Sequence, residues 1–168
     1  MSTPGEEVSL RPLEVDDARA MASTLSDPAL HAFTGGRPST AEELARQYTV
    51  QTRGRSPDGS QIWLNRVILT GLASEPAGYV QATVPVDGGA AQVAWVVGVP
   101  WQGRGIGAAA ARLLLDELAH LGVTRVVAHI HPAHRASRRT AERLGLTATG
   151  QVEDGEEVWT GTTERGRV

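Results

Sequence analysis

A chain of 168 residues with 40% hydrophobic and 21% charged residues has the make-up of a globular domain and the length to bury a core. Its net charge of -3 argues against non-specific nucleic-acid binding, and the absence of cysteine excludes disulfides, thiolate metal sites and a cysteine nucleophile. No run approaches the roughly 18 apolar residues of a membrane span, and the polar start Met1 to Glu7 lacks the basic and apolar regions of a secretory leader.

The expectation is one cytoplasmic domain over residues 1–168, with no internal repeat or long linker. Val8 to Leu13 alternates as a short strand. Asp16 to Leu25 is helical, with Ala18, Met21, Ala22 and Leu25 on one face, and Asp27-Pro28 and Thr34-Gly35-Gly36 break it. Ser39-Thr40-Ala41-Glu42 reads as a capping box that opens a second helix running to about Thr52. Three strands follow, Ile62 to Leu69, Gly78 to Val86 and Ala91 to Val99, with a hairpin turn at Asp87-Gly88-Gly89. Ile106, Ala110, Leu113, Leu114, Leu118 and Leu121 mark one face of a helix that stops at Gly122. Arg125 to Ile130 is a buried strand ended by His131-Pro132, Ala136 to Leu144 a short helix, and Thr147 to Glu153 with Glu156 to Thr162 a last hairpin. The fold class is α/β: about seven strands and four helices, a mostly antiparallel mixed sheet with one βαβ crossover.

The crossover carries the chemistry. Between its strand and its helix stands Gln102-Gly103-Arg104-Gly105-Ile106-Gly107-Ala108. Three alternating glycines let backbone approach a ligand, and they sit where a helix N-terminus presents unpaired N–H groups and a favourable dipole. A pyrophosphate suits that place, and Arg104 is positioned to add a charge-assisted contact. Gly103-x-Gly105-x-x-Ala108 also fits a dinucleotide fingerprint, but that motif expects an acid about twenty residues on, and Val127 to His131 contains none. A phosphate loop of the Gly-Lys-Ser/Thr type is excluded because no such triplet follows.

Gln102-Gly103-Arg104-Gly105-Ile106-Gly107 resembles the cofactor signature of the GNAT acetyltransferase superfamily, Gln/Arg-x-x-Gly-x-Gly/Ala after the fourth strand. Pro132 to Leu146 is similar to the Pro-x-Asn-x-x-Ser block of the Rim-type branch, which acetylates ribosomal-protein N-termini and small amines, and so is the opening Leu10-Arg11-Pro12-Leu13. The resemblance implies splayed fourth and fifth strands and direct transfer of acetyl from acetyl-CoA to an amine in a ternary complex, without a metal. It implies that the strand end Val97-Gly98-Val99 binds the pantetheine arm through main-chain groups and that the amides of Gln102 to Ala108 hold the pyrophosphate. Ser137 falls on the serine position near the cofactor sulfur, and His134 replaces the asparagine that contacts the pantetheine. Leu146 replaces a Phe, and Arg138 and Arg139 stand where the family often has a tyrosine acid.

The reaction needs a neutral amine, an oxyanion donor and a proton for the departing thiolate. The N–H of Val97 is a candidate oxyanion donor and Ser137 the candidate acid, although a serine at a helix start also serves local backbone. A lysine-like amine is neutral in roughly one molecule per few thousand at pH 7, an α-amine in about one per seven, so an α-amine needs little help. Glu153, Glu156, Glu157, His129 and His131 are candidate bases, and none is singled out. A metal reading of His129, His131 and His134 lacks an acidic third ligand. The acceptor is a small-molecule amine or a protein N-terminus, bound between Asp27 to Thr52 and Val152 to Trp159; a homodimer is compatible with the reading. The competing expectations are a CoA-binding domain without catalysis and a NAD-type dinucleotide-binding protein.

Overall fold

The computed structural model describes residues 7–72 and 75–164, so the start read as leader-free lies outside it except for Glu7. The strands are β1 (Val8–Pro12), β2 (Gln61–Thr70), β3 (Gly78–Pro85), β4 (Ala91–Val97), β5 (Arg125–Ile130), β6 (Thr147–Glu153) and β7 (Glu156–Thr162). The helices are α1 (Ala18–Thr24), α2 (Ala41–Gln51), α3 (Ile106–His120) and α4 (Arg135–Arg143). One seven-stranded sheet runs in the order β1-β2-β3-β4-β5-β7-β6, and only β4 and β5 pair in parallel.

Alternation puts Val80, Ala82 and Val84 of β3, Val93 of β4 and Val126, Ala128 and Ile130 of β5 on the face covered by α3. The buried stripe of α3 is Ile106, Ala110, Ala111, Leu114, Leu115 and Leu118. Burying each of its leucines contributes about 1.5–3 kcal/mol. Leu113 lies at the edge of the stripe, half-buried, and Leu121 falls beyond the last turn, where it is exposed. Both were expected inside.

The other face is covered only in part. Leu13, Ala18, Met21, Leu44 and Tyr48 close over Val67, Leu69 and Tyr79, so α1 and α2 roof β2 and β3. Arg11 fastens this roof to β1 through a two-pronged ion pair with Asp17, at 2.6 and 2.9 Å. The capping box of α2 sits one residue later than expected: Thr40 Oγ1 accepts from the Glu43 amide and Glu43 Oε1 from the Thr40 amide, both at 3.1 Å. Arg37 holds Glu43 at 2.8 Å, which favours that register over the one ending at Glu42.

β4 and β5 are in register only at Ala91↔Val126 and Gln92↔Val127, after which the strands part. The resulting cleft lies at the uncovered side of the sheet. No helix of the described residues is long and apolar enough to cross a membrane.

Candidate active site

The strand that feeds the crossover ends earlier than expected. Pro100 has no N–H for a ladder and restricts the residue before it, so Val99–Trp101 forms a 3-10 turn and β4 stops at Val97. The Val99 carbonyl accepts the Gln102 amide at 3.1 Å, inside this turn. Gly98 donates to Ala77 at 2.8 Å, on the β3 side. Backbone groups alternate along a strand, so the N–H and C=O of Val97 turn to the β5 side, into the cleft. Gln102 Nε2 donates to the Val97 carbonyl at 3.0 Å and ties the glycine loop to the strand end.

Gly103 and Gly105 have φ of 78° and 76°, the left-handed region that costs other residues about 1–2 kcal/mol. Gly105 is the N-cap of α3, with no side chain capping the helix, so the amides of Ile106, Gly107 and Ala108 lack intrahelical acceptors. The Arg143 guanidinium from α4 stands beside this N-terminus, 3.7 Å from where a Cβ on Gly105 would be. Gly107 faces Val97 and Thr140 at ordinary contact distance, so β4, α3 and α4 converge on the loop. Uncapped amides, a helix dipole and a guanidinium together make an anion seat.

His134 caps α4: its Nδ1 accepts the Ser137 amide at 3.1 Å. The ring proton is therefore on Nε2, which faces Ser137 Oγ at 3.4 Å and leaves the serine hydroxyl hydrogen free to be donated elsewhere. Burial lowers the His134 pKa, with a backbone hydrogen bond acting against it and His131 adding to the lowering, so the ring is neutral at pH 7. Phe33, from the segment between α1 and α2, packs on His134 and His131 with ring centroids 4.7 and 5.1 Å away. This contact ties the roof of one face to the start of α4.

A cavity of about 220 Å³ opens under α1 and α2, lined by Gln47, Tyr48, Gln51, Asn65, Tyr79 and Gln81 together with His31, Ser39, Arg66 and apolar neighbours. Burial raises the pKa of both tyrosines, which remain phenols, with Tyr79 and Asp17 adding to the effect on Tyr48. No carboxylate lines this cavity.

A family model for the acetyltransferase (GNAT) domain matches residues 7–147. The chain belongs to the GNAT acetyltransferase family. No curated protein matches it in sequence. Among solved structures, the ribosomal-protein-S5-alanine acetyltransferase from Vibrio fischeri is similar at a TM-score of 0.77 and 15% identity, over 98% of this chain and 97% of that one. The aminoglycoside acetyltransferase AAC(6')-Ib, solved with coenzyme A, gives 0.74 and 21% over 93% and 95%. The microcin C7 self-immunity acetyltransferase MccE, solved with acetyl-CoA and AMP, gives 0.75 and 17% over 95% and 97%.

In this GNAT chain the cofactor residues expected from the sequence, Val97, Gly98, Val99 and Gln102 to Ala108, run from the end of β4 through the 3-10 turn and the glycine loop into the first turn of α3. Val99 belongs to the turn rather than to the strand, and Gln102 contributes through its side chain as well as its backbone. The place of Arg143 beside the loop is set by the packing of α4 against α3, which no local pattern signals.

Of the base candidates, His129 bonds to Glu153 at 3.0 Å and Glu157 approaches Arg138 at 3.5 Å. His131 lies past the end of β5 and accepts the Ala133 amide at 3.1 Å, so it does not share a strand face with His129. Among the described residues no three His, Asp or Glu side chains are grouped to hold a metal. No carboxylate of the last hairpin lines the cavity under α1 and α2.

Proposed function

We propose that the protein, as one domain over residues 1–168, moves the acetyl group of acetyl-CoA to a primary amine by direct attack in a ternary complex. One observation carries this reading. The cleft where β4 leaves β5 opens beside the uncapped N-terminus of α3, so a pantetheine in the cleft and a pyrophosphate on the loop belong to one extended ligand. The coenzyme A and acetyl-CoA present in two proteins of similar fold support that choice of ligand. A dinucleotide has no use for the cleft.

In this reading the pantetheine adds to β4 like an edge strand, through Val97. The amides of Gly103 to Ala108, with Arg104 and Arg143, hold the pyrophosphate. The N–H of Val97 points into the cleft and receives the oxyanion. Ser137, whose hydroxyl accepts from His134, donates to the departing sulfur. The acceptor enters from the uncovered face beside the cavity under α1 and α2, as a small-molecule amine or a protein N-terminus. The acetyltransferases of similar fold that are named for a ribosomal-protein alanine and for aminoglycosides support both classes.

Thiol release from acetyl-CoA across a panel of amines, including N-terminal peptides, tests the reading. The expected result is that acetyl-CoA stabilises the protein thermally, that NAD does not, and that at least one amine accelerates thiol release. Tight acetyl-CoA binding with no turnover on any amine favours a CoA-binding domain without catalysis.

A further inference from the structure

Forming an amide releases a proton from the acceptor nitrogen, and one group on the uncovered face is built to receive it. We propose that His129, held by Glu153, is the catalytic base and takes that proton at Nδ1; the assignment rests on the acetyl-transfer reading above.

The sheet register locates the residue. Asn65 pairs with Gln81 and Gln81 with Ala94, which forms one cross-strand row. The parallel pair Gln92↔Val127 brings Ala94 level with His129, two residues further along each strand. Ala128 and Ile130 are buried under α3, so His129 projects from the opposite face, the one left open by α1 and α2. The row thus runs from the cavity lined by Asn65 and Gln81 to the lip of the cleft, crosses it, and resumes at His129.

Hydrogen bonding decides which nitrogen is the base. A carboxylate only accepts, so the 3.0 Å contact with Glu153 Oε2 puts the ring proton on Nε2. The Nδ1 lone pair is left on the other side of the ring. It faces β4, where Gln92 Nε2, on the last residue of β4 still paired with β5, donates to it at 3.2 Å. Gln92 is exposed, so solvent reaches this side of the ring. The His129 side chain is 21% exposed, which leaves it wet enough to hand a proton on to solvent.

The bonds balance without a further reactant. The amine nitrogen bonds to the thioester carbon, and the carbonyl electrons move to oxygen. One N–H proton passes through water to Nδ1 of His129 and from there to solvent. The C–S bond then breaks with its electron pair on sulfur, and the sulfur takes up one proton. Glu153 stays a carboxylate facing the transient imidazolium. The other charged groups nearby are engaged elsewhere: Glu157, opposite Ile130 on β7, approaches Arg138 of α4, and His131 accepts the Ala133 amide.

The experiment compares wild type, His129→Ala, His129→Gln, Glu153→Gln and Glu153→Asp. Each is assayed by thiol release with the panel amine that turns over fastest, and its acetyl-CoA affinity is measured by calorimetry. His129→Ala is expected to lose about 100-fold or more in kcat, the usual range for a general base, with acetyl-CoA affinity unchanged. The fall in kcat at low pH, where the imidazole is protonated, disappears in His129→Ala and His129→Gln. Glu153→Gln lowers kcat, because the transient imidazolium loses its counter-charge, and Glu153→Asp returns part of it. Added imidazole restores part of the His129→Ala turnover, an effect that a purely structural histidine would not produce. An active wild type whose His129→Ala and His129→Gln variants keep both kcat and the low-pH fall overturns the proposal alone. A wild type that binds acetyl-CoA and is silent on every amine overturns the transfer reading, and the proposal with it.

Discussion

Gln102 Nε2 donates to the Val97 carbonyl at 3.0 Å, so the first side chain of the glycine loop closes back on the last residue of β4. That bond holds the strand end and the helix N-terminus in one geometry. Gln102→Ala is expected to weaken acetyl-CoA binding about 5- to 10-fold, the worth of one hydrogen bond, with kcat changed less than Kd. Calorimetric titration checks this, and an unchanged Kd rejects it.

The three loop glycines are expected to respond differently to alanine. Gly103 and Gly105 have positive φ with no backbone crowding their α-carbons, so their cost is conformational, about 1 kcal/mol each or roughly 2–4 °C in Tm. Gly107 lies inside the first turn of α3 and has room for a Cβ at 3.4 Å from Val97, so Gly107→Ala leaves Tm nearly unchanged. A melting series of the three single variants measures the contrast. Equal losses at all three positions would contradict the backbone argument.

Asp17 ties the roof of α1 and α2 to β1. Burial pushes its carboxyl up, but hydrogen bonds from Arg11 and the Glu14 amide, with the Arg11 charge, outweigh burial and leave its pKa lowered. A lowered folded-state value means the pair stabilises fully above the ordinary aspartate value of 3.8 and loses its effect as pH falls through the lowered one. Asp17→Asn is expected to cost about 2 kcal/mol at pH 7, and the gap to wild type closes in strong acid. Urea melts at pH 7 and in strong acid test the sign. A pH-independent gap would mean that the ion pair is not its source.

His134 caps α4 through Nδ1, which a second proton would occupy. His134→Asn keeps a capping oxygen and is expected to stay within about 0.5 kcal/mol of wild type, whereas His134→Ala loses about 1 kcal/mol. Burial lowers the His134 pKa first and foremost, so protonation disfavours the folded state. The cap is intact at neutral pH and weakens only as pH falls below the ordinary histidine value. Thermal melts of the two variants at pH 7 and pH 5 separate these effects. An asparagine variant as unstable as the alanine variant would count against the cap.

Order, type and approximate bounds of the strands and helices were legible in the chain because each rests on a local signal. Asp87-Gly88-Gly89 makes a hairpin turn, Gly122 ends a helix, and the apolar period of β3 is two. The errors have local causes too. Val99 reads as strand until Pro100 is allowed to end the ladder, and Thr40 takes the cap from Ser39 because Arg37 holds Glu43.

The glycine loop was visible for the same reason: a backbone that must turn left-handed at Gly103 and Gly105, then open a helix, leaves its mark in consecutive residues. By itself the sequence therefore determined the glycine loop and the family. His129 and Glu153 stood among the candidate bases, but their contact was not legible. His129, Glu153 and Gln92 are 24 and 37 residues apart, and only the β5–β7–β6 pairing and the parting of β4 bring them together. Arg143 reaches the loop, and Asn65 reaches Gln81, through packing between distant elements. Contacts of that kind are decided by register and sheet order, which tertiary structure alone supplies.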